Sequence, residues 1–114
     1  MKRKVEKYLY DVKESINLIQ SYLLDVDSAE AYYNNTMLMD AIERRLAIIG
    51  EAIFKADKVH SALPITNKYK IIALRHILVH EYDLIEKEAI WEITVIFLPI
   101  LKEEIEAYFN SLSK

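Results

Sequence analysis

Apolar residues recur at intervals of three and four along most of this chain, the spacing that places them on one face of an α-helix. The first such stretch covers about residues 4–26. Its apolar positions are Val5, Tyr8, Leu9, Val12, Ile16, Ile19, Leu23 and Val26. A second stretch follows and ends at about residue 56. Two more cover about residues 67–80 and 87–112. The pattern therefore predicts four principal helices.

The breaks between these stretches carry residues typical of helix boundaries. Residues 27–30 match a capping box, and residues 34–36 offer a second helix start, so a short helical turn is expected between them. Residues 57–66 interrupt the helical pattern, and residues 81–86 form a tight connection. The predicted fold is all-α, an antiparallel four- to five-helix up-down bundle, with a single domain over residues 1–114.

Two helix-breaking residues lie inside predicted helices. Gly50 costs about 1 kcal/mol relative to alanine in a helix interior, and we expect it to permit close approach of a neighbouring helix. Pro99 lacks a backbone N–H, so it should kink the last helix near Val95.

Composition narrows the class of protein. The 114 residues include one glycine, two prolines and no cysteine, which argues against a turn-rich β fold, a disulfide or a thiolate metal site.

The basic start alternates charged and apolar residues rather than forming a signal peptide. No apolar run is long enough for a bilayer. We expect a cytoplasmic protein without a membrane partner. The net charge of −3 counts against nucleic-acid binding.

The stretch from residue 70 to residue 82, KIIALRHILVHEY, combines apolar residues with a polar cluster. On a helix of about 100° per residue, one apolar stripe forms a normal core face. This stripe comprises Ile71, Leu74 and Leu78. His76 and His80 lie roughly opposite it, near further apolar residues. A helix that is apolar on two sides must bury both, so we expect a polar site at a subunit interface.

Arg75 and His80 are the candidate catalytic pair. Five residues apart on a straight helix, they point about 140° away from each other. They can converge if the helix ends early, if the arginine wraps around it, or if a second chain contributes. Arginine suits phosphate oxygens and histidine transfers protons near neutral pH, so the pair could cleave RNA without metal. The alternative is a helix-end histidine beside a salt-bridged arginine.

For each of the other polar groups, the sequence allows two interpretations. Glu51 and Arg44 either lie exposed or join an ion pair at the site. Tyr82 either packs the helix end or places a phenol beside the phosphate-handling residues. His76 and His80 have the i, i+4 spacing of metal ligands, but no third ligand stands at a suitable spacing. We therefore expect no metal and no cofactor.

The sequence from Arg75 to Tyr82, RHILVHEY, matches the arginine, four residues, histidine, one residue, tyrosine motif of the HepT-like branch of the HEPN superfamily. The resemblance extends over about residues 37–101. Its other parts are Ala41 to Arg44 followed by Ile48 to Ala52, then Pro64, Ala89 to Ile93, and Leu98 with Pro99.

This resemblance implies a homodimeric, metal-independent endoribonuclease, the toxin of a type VII-like toxin–antitoxin system. Arg75 and His80 would be catalytic in a cleft shared by two subunits, with His76, Tyr82, Arg44 and Glu51 supporting them or contacting RNA phosphates. The implied partner is an MNT-type minimal nucleotidyltransferase antitoxin. It would attach AMP to Tyr82, and the added phosphates would repel RNA.

The sequence also departs from the family pattern. His76 stands where the family commonly has asparagine, Lys68 where an aromatic residue is usual, and Ala73 at a glycine-like position. A local basic patch could steer RNA despite the acidic net charge. Its candidate members are Arg44, Arg45, Lys68, Lys70 and Arg75. Two further classes stay open: a non-catalytic nucleotide- or substrate-binding partner of a minimal nucleotidyltransferase, and a purely structural helical dimer.

Overall fold

The computed structural model describes residues 2–81, 83 and 86–112. Throughout these residues every regular element is helical, which confirms the all-α prediction. The elements are α1 (Lys2–Tyr22), α2 (Ala29–Tyr33), α3 (Thr36–Val59), α4 (Lys68–His80), α5 (Lys87–Glu92), a π-helical segment (Ile93–Phe97) and α6 (Leu98–Leu112). The last three follow one another without a break, so the described chain forms five helical rods.

Helices α1, α3 and α4 pack side by side with alternating direction. Tyr8, early in α1, lines the same groove as Lys55, late in α3, whereas Tyr22 at the end of α1 lines another groove with Leu38 near the start of α3. The α3–α4 pair has the same antiparallel sense, because the ion pair between Asp57 and Lys68 joins the end of α3 to the start of α4.

Helix α6 returns along α1. Lys13 pairs with Glu106 at 3.9 Å, and Gln20 accepts a hydrogen bond from Lys102 at 3.1 Å. As the α1 residue number rises, the α6 residue number falls, so these two helices are also antiparallel. The short helix α2 covers the end of the bundle, where Tyr32 packs on Trp91 with ring centroids 5.1 Å apart.

The buried apolar side chains form one contiguous core. Helix α1 contributes five of its predicted stripe positions, and α3 contributes all four of its predicted positions. Among them are Val5, Leu9, Val12, Ile16 and Ile19 from α1, with Ile42, Leu46, Ile49 and Ile53 from α3. Helix α4 buries only Ile71 of its apolar residues, while Leu74 and Leu78 are partly buried at the edge of the core. Helix α4 is therefore the most peripheral of the long helices.

The predicted boundary residues are close to the observed ones, with three corrections. Helix α3 continues to Val59, so residues 57–59 of the predicted connection are helical. Helix α1 ends at Tyr22 rather than near residue 26. Val26 still packs against the core, from outside the helix. Ser28 rather than Asp27 caps α2, since its Oγ accepts the Ala31 N–H at 3.1 Å. Asn35 caps α3 through the Leu38 N–H at 3.0 Å.

The helix distortion expected near Val95 takes the form of the π-helical segment. Pro99 has no N–H to donate to the Val95 carbonyl, and its ring would crowd that carbonyl in a regular helix. The wider turn relieves this conflict, and the Leu98 N–H donates to the Ile93 carbonyl, five residues back. The buried Thr94 hydroxyl donates to the Ile90 carbonyl at 2.8 Å.

No helix in the described ranges combines the length and the apolar character that crossing a bilayer requires.

Candidate functional site

The position of Arg75 depends on Gly50. A methyl group added to Gly50 would overlap the Cβ of Arg75, and would lie 3.2 Å from the Cα of Arg75 and 3.0 Å from the carbonyl oxygen of Ile71. The α3 and α4 backbones thus meet at this point, which confirms the close approach expected at Gly50. The contact places the Cβ of Arg75 directly against α3.

Arg75 is oriented by two side chains of α3. Its Nε donates to Oε2 of Glu51 at 3.2 Å, and one terminal nitrogen lies 3.0 Å from the same oxygen. The guanidinium carbon lies 5.2 Å from the ring centroid of Phe54, a cation–π distance. The two charged side chains are 28% and 34% exposed, so solvent still reaches them. Of the two alternatives for Glu51, the structure shows the ion pair.

Arg75 and Glu51 line an open groove of about 390 Å³ between α1, α3 and α4. Arginine and lysine side chains contribute three cations to it, and carboxylates contribute two anions. The lining residues are Tyr8, Asp11, Arg44, Ala47, Ile48, Glu51, Ala52, Lys55, Arg75 and Val79. A mixed groove of this kind can bind a phosphate at its cations if the carboxylate of Glu51 keeps only part of the Arg75 guanidinium occupied.

Three groove residues, Tyr8, Asp11 and Lys55, were not singled out from the sequence. For Lys55 a signal existed, because it follows Glu51 by four residues and Arg44 by eleven, so all three lie on one stripe of α3. Tyr8 and Asp11 belong to another helix, and nothing in their local sequence links them to Arg75. The packing of α1 on α3 brings them to the groove.

His76 and His80 are not among the residues that line this groove. Their ring centroids are 4.9 Å apart, and Nε2 of His76 lies 3.7 Å from Oε2 of Glu81. Within a single chain, therefore, Arg75 contacts Glu51 and Phe54, while His80 contacts His76. This separation agrees with the angle of about 140° between positions five residues apart on a helix. Tyr82 lies outside the described residues.

The sequence places Tyr69, Ile72 and Val79 on or near a second apolar face of α4, the side that carries His76 and His80. Of these residues, Tyr69 is 68% exposed and Val79 is 52% exposed. His76 and His80 are exposed on the same helix. Ile72, however, packs against the core, and Val79 lines the groove beside Arg75, so the second apolar side is observed only in part.

The prediction that Lys68 belongs to an exposed basic patch was wrong. Lys68 is 7% exposed, its Nζ lies 2.9 Å from Oδ1 of Asp57, and it donates to the Ser61 carbonyl at 2.7 Å. The hydrogen bond with Asp57 raises the pKa of Lys68 above its ordinary value. This lysine ties α4 to the end of α3 and is not available to RNA.

No group of three or more histidine, aspartate and glutamate side chains that could hold a metal ion occurs within residues 2–81, 83 and 86–112.

Comparison with known proteins defines the class of this helical bundle. The family model described as "Ribonuclease HepT-like" matches residues 12–108. The chain belongs to the HepT-like ribonuclease family, which confirms the resemblance seen in its motifs.

Relatives from Methanocaldococcus jannaschii carry ribonuclease names. The chain is 35% identical over 106 residues to one named "Putative RNase MJ1380", an alignment that covers 92% of this chain and 96% of the relative. It is 28% identical over 114 residues to "Putative RNase MJ0125", covering 99% and 97%. It is also 32% identical over 120 residues to "Gamma-glutamylcyclotransferase and putative RNase MJ0434", covering 100% of this chain and 51% of that longer protein. No solved structure gives a significant match.

Proposed function

We propose that this protein is a metal-independent endoribonuclease, the toxin of a type VII-like toxin–antitoxin pair that acts in the cytoplasm. The observation that carries this proposal is the placement of Arg75, which an ion pair and a backbone contact hold in an open, partly cationic groove. Family membership and the names of the relatives supply the reaction class.

In this mechanism Arg75 stabilises the negative charge that develops on the phosphoryl group. A guanidinium has five N–H donors, and Glu51 engages the Nε and one terminal nitrogen, so donors are left for phosphate oxygens. His80 takes the proton of the RNA 2′-hydroxyl or gives one to the departing 5′-oxygen. The 2′-oxygen attacks the adjacent phosphorus and the bond from phosphorus to the 5′-oxygen breaks, which gives a 2′,3′-cyclic phosphate and a 5′-hydroxyl. Water takes or supplies the proton that His80 does not transfer. Charge stabilisation of this kind is usually the largest single contribution to catalysis.

The reaction needs Arg75 and His80 at one phosphate, and we propose that a homodimer brings them together. Within one chain the two side chains face different surroundings. The exposed apolar residues Tyr69 and Val79 lie on the same helix, and a second copy would bury them. A dimer axis near α4 would place His80 of one chain near the groove of the other.

The groove also supplies the attraction that RNA requires. The whole chain carries a net charge of −3, but Arg44, Lys55 and Arg75 gather at one place. A local cluster of cations attracts phosphates over roughly a Debye length, about 8 Å at physiological salt. Arg44 and His76 act as supporting contacts to RNA or phosphate in this proposal.

Control of the toxin is assigned to Tyr82 and an MNT-type nucleotidyltransferase antitoxin. Tyr82 follows the end of α4 by two residues. An AMP group on its phenol would add negative charge near the motif helix. That charge would occupy the cation site at Arg75 and repel RNA.

The test of catalysis is growth of a bacterium that expresses the chain alone. The parent should arrest growth, and Arg75→Ala and His80→Ala should not. Matched controls are Lys13→Ala, which removes a cation that pairs with Glu106 outside the groove lining, and His60→Ala, which changes the histidine after α3. Both controls should still arrest growth. If the control variants also failed to arrest growth, a loss of folding or expression, and not a loss of catalysis, would explain the result.

The test of control is the intact mass of the chain after incubation with the partner nucleotidyltransferase and ATP. The mass should rise in steps of one AMP group, and Tyr82→Phe should abolish the rise. Tyr69→Phe is the matched control, because Tyr69 is a highly exposed tyrosine on α4. An unchanged mass for the parent would reject modification, and a loss of the rise in Tyr69→Phe would reject Tyr82 as the acceptor.

A second candidate function is a non-catalytic nucleotide- or substrate-binding partner of a minimal nucleotidyltransferase. The separation of His80 from the groove within one chain favours it, because a binding groove needs Arg75 and Arg44 but no proton-transfer group. Cells that grow normally with the parent chain, together with Arg75-dependent binding of ATP, would support this function over ribonuclease activity.

A further inference from the structure

We propose that Tyr8 and Lys55 form a nucleotide subsite at one end of the groove, where they bind the nucleotide next to the phosphate that is cleaved. This inference rests on the proposed ribonuclease function and names the form of RNA that the groove takes, an unpaired strand. The phosphate of the bound nucleotide meets the ammonium group of Lys55, and its base stacks on the Tyr8 ring. The two side chains come from different helices and line the same groove as Arg75.

Lys55 lies one helical turn beyond the residue that holds Arg75. It follows Glu51, the ion-pair partner of Arg75, by four residues on α3, so the two side chains project from the same face. One turn of an α-helix advances about 5.4 Å. A stacked nucleic-acid strand advances about 3.4 Å per nucleotide along its axis, and an extended strand advances further. One phosphate at Arg75 and the next at Lys55 therefore match the step of an extended strand.

Lys55 keeps its charge available to a ligand. Its side chain is exposed, and it forms no ion pair with any residue in the described part of the chain. The two carboxylates of the groove are already paired. Oδ1 of Asp11 lies 2.6 Å from Nζ of Lys7, and Glu51 engages Arg75. The groove therefore presents an uncompensated cation at this end, which attracts a phosphate.

Tyr8 provides an aromatic surface at the same end of the groove. Its side chain packs against the hydrophobic core but is only partly buried, and it lines the groove. Because α1 and α3 are antiparallel, the early α1 residue Tyr8 lies at the Lys55 end of the groove rather than at the Arg44 end. Aromatic side chains stack on nucleic-acid bases of any sequence, since every base has a flat π face. Tyr8 can therefore hold the base of a nucleotide whose phosphate lies at Lys55.

The size of the groove and the stacking requirement define the form of the ligand. The volume of about 390 Å³ falls within the range of about 300–1,000 Å³ that is typical of small-ligand sites, so the groove holds more than one phosphate. A base can stack on Tyr8 only when one of its faces is free. In a duplex both faces are covered by neighbouring bases, whereas a single strand can turn its bases outward. The subsite therefore favours single-stranded over double-stranded RNA.

The experiment measures binding of the full chain to a short single-stranded 2′-O-methyl RNA by fluorescence anisotropy. The methyl group blocks the 2′-oxygen, so the probe binds without being cleaved. Lys55→Ala should weaken the affinity about fivefold or more, and should lower the slope of log affinity against log salt by about 0.7, the value for one phosphate contact on a single strand. Lys102→Ala, which changes a lysine of α6 that donates to Gln20, is the matched control and should bind as the parent does. An unchanged salt slope in Lys55→Ala, or no binding by the parent, would overturn the subsite.

Variants of Tyr8 test the stacking separately. Tyr8→Leu should weaken binding of the same probe about fivefold or more without changing the salt slope, because the ring carries no charge. Tyr8→Phe keeps the ring and should bind as the parent does. Tyr10→Leu is the control, since Tyr10 is a 58% exposed tyrosine of α1 outside the groove lining. Parent-like binding by Tyr8→Leu would contradict the stacking.

A comparison of strand forms needs no variant. The parent should bind the single-stranded probe more tightly than a duplex of the same sequence, because only the single strand offers a free base face. Equal affinity for the two forms would reject the subsite.

Cleavage kinetics separate the subsite from the proposed function. For RNA, Lys55→Ala and Tyr8→Leu should raise KM more than they lower kcat, because both side chains bind outside the reacting atoms. A parent that binds the probe through Lys55 and Tyr8 yet cleaves no RNA supports the subsite and rejects the ribonuclease. A parent that cleaves RNA with the same KM as both variants rejects the subsite alone.

Discussion

Glu51 and Arg75, 24 residues apart in the chain, meet through a single carboxylate oxygen. Oε2 of Glu51 lies 3.0 Å from a terminal nitrogen of Arg75 and accepts a hydrogen bond of 3.2 Å from its Nε. Helix α3 thereby sets the direction of the one guanidinium on α4. The charge of Glu51 holds Arg75 in the groove, and the ring of Phe54 supports it from another side.

Glu51→Gln should reduce RNA cleavage about tenfold, a loss of about 1.4 kcal/mol of transition-state stabilisation. The amide retains an acceptor oxygen but loses the charge that fixes the guanidinium. The free energy of unfolding should fall by less than about 1 kcal/mol, because both side chains are partly exposed. Cleavage rates and urea unfolding measure the two effects. Glu103→Gln, at an exposed site on α6, serves as the control. Full cleavage activity in Glu51→Gln would remove Glu51 from the site.

Gly50→Ala should destabilise the protein even though alanine is the better helix former. Alanine improves helix propensity by about 1 kcal/mol, but overpacking a tight contact costs about 1–3 kcal/mol. The added methyl would press on the Cβ and Cα of Arg75. These atoms are the backbone Cα and the first side-chain carbon, so a change of rotamer cannot move them away from the added methyl. Helix α4 must move away from α3, and RNA cleavage should fall with stability.

The free energy of unfolding from urea titration checks this prediction. Ala107→Ser, at an exposed position of α6, is the control for a small added group on a helix and should change stability by about 0.5 kcal/mol at most. A Gly50→Ala variant that is as stable and as active as the parent would contradict the close contact.

Glu43→Gln should stabilise the protein at pH 7. Burial, followed by the nearby charge of Asp40, raises the pKa of the Glu43 carboxyl above its ordinary value of 4.5. A raised pKa means that the folded chain binds the proton more tightly than the unfolded chain does, so stability falls as the pH rises through this range. Glutamine avoids that loss because it carries no charge at any pH.

The stability difference between Glu43→Gln and the parent should therefore disappear at about pH 3.5, below the ordinary pKa, where both states are protonated. Urea unfolding at the two pH values measures it. Glu103→Gln should show no comparable difference. A Glu43→Gln variant less stable than the parent at pH 7 would show that the ionised carboxylate is stabilising instead.

Glu104→Ala should loosen the start of α4. The Glu104 carboxylate accepts the Thr66 N–H at 3.1 Å and the Thr66 hydroxyl at 2.5 Å, so α6 holds the segment that enters α4. Hydrogen bonds to a charged acceptor contribute about 1.5–3 kcal/mol, and less when exposed, so we expect a loss of about 1 kcal/mol. Glu103→Ala is the neighbouring control.

A double-mutant cycle with Thr66→Val measures the coupling between these two side chains. Thr66→Val removes the hydroxyl but keeps the backbone N–H, so it should lose part of the stabilisation and show less than additive loss when combined with Glu104→Ala. Strict additivity of the two losses would mean that the hydroxyl and the carboxylate do not interact.

The helices and most of the core could be predicted from the sequence. The stripes of α1 and α3 are buried as their periodicity predicted, because a 3.6-residue repeat is a local property that survives in any packing. Gly50 and Pro99 were also interpretable from local rules. The family motif predicted the class of protein, since RHILVHEY and the second-helix signature are contained in short segments.

The candidate site was predicted only in part. Arg75, Arg44 and Glu51 share a groove, but Lys68 is buried against Asp57 rather than exposed. The error has a physical reason. Lysine at the start of a helix is usually solvated, and only the fold shows that a carboxylate and a carbonyl oxygen lie within reach of its ammonium group.

By itself the sequence determined which segments are helical, which face of α1 and α3 is buried, and which family the motif resembles. These properties depend on residues within a few turns of each other. Only the tertiary structure decided that Arg75 turns toward Glu51 and that His80 turns toward His76. Helix α4 is apolar on two sides, so its own pattern does not select the face that meets α3. The contact at Gly50 makes that choice, because it is the place where the two backbones fit closely enough to pack.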